Sequence, residues 1–127
     1  MSGRVVFEYA LLRVVPRVER GEYFNAGVVL YCRARSFVGA LTHLDEVKLK
    51  AFDPDADTTG VRAALHAVEG VCGGGAGAGQ AAGDDAGRRF RWLVAPRSTV
   101  VQPGPVHTGL TADPAAELAR LHELLVR

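Results

Sequence analysis

The chain has only two cysteines in 127 residues. That scarcity excludes a disulfide-stapled secreted scaffold, in which cysteines are dense in a short chain. Cys32 lies inside an apolar run and Cys72 at the end of a helix-like run, where each is expected to act as a small buried hydrophobe and not to pair. An excess of one charge is missing as well. Fifteen Lys and Arg oppose fourteen Asp and Glu, which excludes nucleic-acid binding by bulk positive charge. No uninterrupted apolar stretch is long enough to span a bilayer. The most apolar N-terminal stretch, Val5 to Val15, is cut by Glu8 and Arg13 and precedes no small-residue cleavage site. It is neither a signal peptide nor a membrane span, and the expected compartment is cytoplasmic.

Catalytic and cofactor signatures are equally sparse. There is no Gly-Lys-Ser/Thr and no Gly-x-Ser-x-Gly elbow, and Ser98 has no sequence context that would activate it as a nucleophile. Gly73 to Ala78 meets a relaxed dinucleotide-binding spacing, but it follows a helix where that motif needs a strand. His43, His66, His107, His122 and the two cysteines are scattered singly, with His43 and Asp45 the tightest pair, so no metal site is assigned. His66 and His122 fall on the polar sides of their helices and are expected to be solvated. No cofactor and no catalytic residue follows from the residues alone.

What the chain does have is 48% hydrophobic residues, enough for one real core, and the expectation is a single domain over 1–127. From Arg4 to Val15 nearly every position is apolar and rich in β-branched and aromatic residues, the pattern of a central strand covered on both faces. Pro16 closes it. Residues 25–35 form a second strand and 37–42 a third, and the short links favour an antiparallel meander. Asp45 caps a short helix to about Phe52, with Leu44 and Leu49 at the spacing of a hydrophobic staple. Asp57 or Thr58 opens a longer helix on which Val61, Leu65, Val68 and Cys72 make one stripe.

Residues at about 73–87 hold seven of the fifteen glycines and few apolar side chains, and they are expected to form a flexible loop. A short helix follows, opened by Asp84 or Asp85 and ended by Pro96, with Phe90, Leu93 and Val94 on one side. Phe90 and Trp92 are both expected to be buried there, not free to stack on bases, so nucleic acid is a disfavoured partner. A β-prone stretch near 97–102 adds a fourth strand, and Asp113-Pro114 opens a last amphipathic helix carrying Leu118, Leu121 and Leu125. The fold class is therefore α+β: an antiparallel sheet of about four strands packed by three to four helices.

Charge is locally uneven. Residues 1–35 carry a net +3, residues 86–110 a net +4 and residues 45–85 a net −5. Two polar segments are candidates for a ligand site. Arg97, Ser98, Thr99, His107 and Thr108 combine a guanidinium, hydroxyls and an imidazole in a stretch expected to be largely irregular, the kind of display that suits an anionic ligand. Glu22 and Asn25, leading into the second strand, complete such a cleft in a small enzyme or phosphate-binding protein. The structural alternative is that Asn25 satisfies nearby backbone, that Gly27 permits a bulge or a close backbone approach, and that 97–110 runs along the sheet with His107 as an internal tether.

Several stretches together resemble one family. They are Tyr9 to Pro16, Arg20 to Leu30, Leu44-Asp-Glu, Asp53 to Asp57, Arg89 to Trp92, Ala95 to Thr99 and Pro105 to Leu110. In these the chain is similar to the bacterial family catalogued as domain of unknown function 3037. The resemblance spans nearly the whole chain apart from the glycine-rich loop, and it brings no activity, cofactor or catalytic residue. It implies a small stand-alone bacterial protein found beside HipA-like kinases, and hence an accessory or regulatory module acting by protein–protein interaction with such a kinase.

Overall fold

The computed structural model describes residues 3–73, 85–97 and 99–127. The elements run β1 (Val5–Val14), β2 (Phe24–Cys32), β3 (Phe37–Thr42), α1 (Glu46–Phe52), α2 (Thr58–Gly73), α3 (Ala86–Leu93), β4 (Val101–Pro103), β5 (His107–Thr111) and α4 (Pro114–Leu125), with single 3-10 turns at Val18–Arg20 and Arg33–Arg35. The fold is α+β, as the pattern of strands followed by helices requires. The expected flexible loop at about 73–87 falls mainly on 74–84, outside the described residues; Gly73 closes α2 and Asp85 already caps α3.

All strand pairs are antiparallel. β1 is central, with β2 and then β3 on one side. Along its other edge β4 and β5 lie end to end, β4 opposite Leu12 to Val14 and β5 opposite Val5 to Tyr9. Between them the Gly104 amide still donates to the Leu11 carbonyl at 2.8 Å. Pro103 and Pro105 have no N–H to give, so one row of the sheet breaks into two strands there. The stretch expected to be largely irregular after Gln102 thus holds an ordered strand, β5, and the sheet has five strands in four rows.

Side chains of directly opposed residues share a face of an antiparallel pair. One face carries Phe7, Val28, Leu30 and Cys32, and α4 lays Leu118 and Leu121 on them. The opposite face carries Ala10, Leu12, Val29 and Tyr31 under Val68, Val71 and Cys72 of α2 and Phe90 and Leu93 of α3. Beyond them Val14 and Phe24 pack with Leu49, Val61 and Leu65 of α1 and α2. The two cysteines are buried and free, in clusters on opposite faces of the sheet, so they cannot join.

Three helices begin on aspartate caps. The carboxylates of Asp45, Asp85 and Asp113 accept from the amides of Lys48, Arg88 and Ala116, and Asp57 serves α2 in the same way through the Gly60 amide at 2.9 Å. Each meets an amide the helix leaves without a partner. Leu44 and Leu49 pack in the same cluster, as the staple spacing predicts.

Register between β1 and β2 slips after Leu12. Leu12 faces Gly27, Arg13 faces Asn25, and Ala26 is the extra residue of a bulge. A Cβ on Gly27 would stand 3.0 Å from Leu12 Cδ1 and 3.1 Å from the Leu41 carbonyl oxygen, so any side chain here would press on both neighbouring strands.

Two burial expectations fail. Trp92 is 49% exposed while Phe90 is wholly buried. Residues two apart on a helix project on nearly opposite sides, so α3 can offer only one of these rings to the sheet. β1 is not covered along its whole length either: Val6 is 59% exposed, because α2 and α3 stop short of the β1–β5 corner.

Candidate functional site

The polar residues singled out in the sequence are held by their own surroundings. Glu22 forms an ion pair with Arg20 at 2.7 Å, and the hydrogen bond from that guanidinium holds its carboxyl below the usual range. The side-chain amide of Asn25 donates to the Leu125 carbonyl at 3.3 Å, tying β2 to the end of α4. Arg97 donates to the carbonyls of Trp92 and Ala95 and stacks 4.9 Å from the centre of the Trp92 ring. The Thr99 hydroxyl donates to the Val101 carbonyl at 2.7 Å. His107 stands beside Tyr9, with ring centres 5.3 Å apart. Thr108 is opposite Glu8. Ser98 lies outside the described residues.

The two segments do meet across β1. Arg13 is opposed by Asn25 on one side and by Gln102 on the other, so all three project from one face, where the Arg13 guanidinium lies 4.2 Å from the centre of the Tyr23 ring. His107 shares that face but sits four residues further along β1, about 13 Å away at strand rise. Thr108 projects from the opposite face. The sheet therefore gathers Asn25 and Gln102, and separates His107 and Thr108 from them and from each other.

His122 departs from its expected solvation. Its Nδ1 is buried with no hydrogen-bond partner among the described residues. Burial, with Arg127 and His43 nearby, pulls its pKa down. Among the described residues no group of three or more His, Cys, Asp or Glu side chains is placed to hold a metal ion, and no helix is long and apolar enough to cross a membrane.

The surface that stands out is made by residues the sequence does not mark. Val6 on β1 and Leu110 on β5 are directly opposed on the face shared with α2 and α3, and they are 59% and 58% exposed. Two large apolar side chains paired in the open on a sheet face are unusual, because a cross-strand pair of this kind is ordinarily under a helix. They line a concave groove of about 690 Å³ together with Arg4, Glu8, Tyr31, Arg33 and Ala34. Glu8 is bridged by Arg91 of α3 at 3.1 Å, which satisfies the one acid on the walls. Nearby in sequence, Arg35 donates to the carbonyls of Gly3 and Ala112. The groove thus joins an exposed apolar pair to charged side chains at one corner of the sheet. A sequence signal for it did exist: Val6 and Leu110 fall on the same strand parity as Glu8 and Thr108, which marks that face of β1 as partly solvated.

The model of the family described as Protein of unknown function (DUF3037) matches residues 9–126. No curated protein and no solved structure matches the chain. The chain belongs to the DUF3037 family.

Proposed function

As a member of the DUF3037 family, this chain, we propose, acts without chemistry of its own, as an accessory module that docks onto a partner protein through the Val6–Leu110 groove. The observation that carries this reading is the exposed apolar pair on a sheet face that α2 and α3 leave uncovered. With a little over half of each side chain still exposed, removing the rest from water is worth about 1 kcal/mol apiece, which gives two modest anchors. Arg33 in the lining favours a partner segment that carries an aliphatic side chain next to an acidic group. The family resemblance suggests a HipA-like kinase as that partner.

The test is co-expression with a HipA-like kinase carrying an affinity tag. The chain is expected to be retained on the tagged kinase, and Leu110→Asp, a change at an exposed position that leaves the core intact, is expected to reduce retention at least tenfold. Absence of retention, or retention that Leu110→Asp and Val6→Asp leave unchanged, refutes docking of the kinase through this groove.

A further inference from the structure

On the face of the sheet opposite the Val6–Leu110 groove, Arg13 of β1 stands between Asn25 of β2 and Gln102 of β4. We infer that its guanidinium is a binding site for a carboxylate, carried by a small acid whose apolar part lies along Leu11. Among the described residues this guanidinium has neither an ion pair nor a hydrogen bond, and its Nε is cut off from solvent with no acceptor. A charged donor is rarely left so in a folded chain, because an unmade hydrogen bond is costly. The other two nitrogens are not sealed, so a ligand reaches the guanidinium end-on. Glu22, one residue before Tyr23, is engaged by Arg20 at 2.7 Å and does not serve it.

The group is also held in place. Its carbon lies 4.2 Å from the centre of the Tyr23 ring, and Tyr23 is 47% exposed, so core packing does not force the stack. A Cβ on Gly104 would stand 3.1 Å from the same carbon and from Nε, so glycine leaves the room in which the guanidinium sits. Gly104 is itself pinned to β1, its amide donating to the Leu11 carbonyl at 2.8 Å. A planar cation fixed by a ring and by backbone, with two nitrogens open at its tip, matches the two oxygens of a carboxylate. A phosphate would bring up to two charges against one guanidinium. The flanking Asn25 and Gln102 are neutral, and each already gives an amide hydrogen to a backbone carbonyl, of Leu125 and of Thr99. Leu11 projects from the same face two residues from Arg13, about 7 Å away at strand rise. It is only partly buried, which leaves it open to the apolar part of the acid.

The experiment is an NMR titration of the full chain with sodium benzoate at constant ionic strength, with acetate, inorganic phosphate and chloride as comparisons. Benzoate should give saturable shifts of the Gly104 amide and of the Arg13 Nε–H, which burial makes slow to exchange. Acetate should bind at least threefold more weakly than benzoate, phosphate no more tightly than acetate, and chloride without saturation. Arg13→Lys keeps the charge but loses the paired N–H groups, and should weaken benzoate binding roughly tenfold. Tyr23→Leu, at an exposed position, removes the ring that holds the guanidinium and should weaken it roughly threefold. Leu110→Asp, on the opposite face, should bind benzoate like the parent, so this site is scored separately from the docking groove. The site is refuted if the Gly104 and Arg13 signals do not shift saturably, or if Arg13→Lys keeps the parent's affinity. Should Arg13→Lys fail to fold, parent affinity in Tyr23→Leu refutes it instead. Phosphate binding tighter than benzoate, or acetate as tight as benzoate, overturns the assignment to an apolar carboxylate.

Discussion

Gly109→Ala tests how tightly β5 is fitted to the central strand. Gly109 is opposite Phe7, and a Cβ there would stand 2.7 Å from Phe7 Cζ and 2.8 Å from Cε1, against roughly 3.5–4.0 Å for a relaxed carbon contact. The backbone of Gly109 is not in the left-handed region, so space alone decides the outcome. The ring cannot swing aside freely, because Phe7 is 5% exposed and packed with Val28, Leu30, Leu118 and Leu121. Overpacking of this kind costs about 1–3 kcal/mol, while the stiffer unfolded chain returns roughly 0.4–1 kcal/mol. The net loss should be about 1–2 kcal/mol, or a Tm lower by roughly 4–8 °C for a chain of this size. Urea denaturation of Gly109→Ala, Phe7→Leu and the double variant separates this from a general strand effect. Leucine lacks the ring atoms that meet the new methyl, so the double variant should lose at least about 1 kcal/mol less than the two single losses combined. Additive losses, or a neutral Gly109→Ala, would show that the ring of Phe7 does not set the requirement for glycine.

Three further outcomes follow from named groups. Asn25→Ala removes the tether to the Leu125 carbonyl and should cost about 1 kcal/mol, with faster hydrogen exchange of the Val126 and Arg127 amides that close the last turn; unchanged exchange there would make the tether idle. Burial pushes the Cys72 thiol up to about 12 from an ordinary 9.0, so the folded chain should resist alkylation at pH 8 far longer than the chain in urea. Since the unfolded thiol ionises first, the stability this group contributes is present below about pH 9 and is lost as pH rises toward 12, and urea midpoints of Cys72→Ala should lack that decline. The pKa of His122 is lowered from 6.5, chiefly by burial, so its contribution is present above pH 6.5 and is lost as pH falls through the lower folded value. His122→Gln should flatten the urea midpoint between pH 7.5 and 5, and an equally steep fall in that variant would assign the acid sensitivity to other groups.

Local chemistry made most of the fold legible. The caps at Asp45, Asp57, Asp85 and Asp113, the proline at the first position of α4 and the stripe Val61, Leu65, Val68, Cys72 each act within one or two turns, and each is present. The bulge at Gly27 was foreshadowed for the same reason, by a glycine inside an apolar strand. β5 was harder to see because Pro103-Gly104-Pro105 signals an end to pairing, and only the partner strand shows that the ladder resumes past it. Trp92 misled because hydrophobicity was read without its angular position: on a helix of eight residues, burial of Phe90 leaves Trp92 on the far side.

The candidate site was illegible for a different reason. A polar segment draws notice in a sequence because its side chains are chemically capable, yet Arg97, Glu22, Asn25 and Thr99 spend that capability on carbonyls and charges within their own surroundings. The groove is the reverse case. Val6 and Leu110 carry only the faint signal of a strand parity shared with Glu8 and Thr108, and they become informative when strand pairing sets one against the other where, among the described residues, neither α2 nor α3 covers them. What distinguishes a binding surface here is a mismatch between side chain and environment, apolar groups left in water, and such a mismatch has no existence until the environment has been folded.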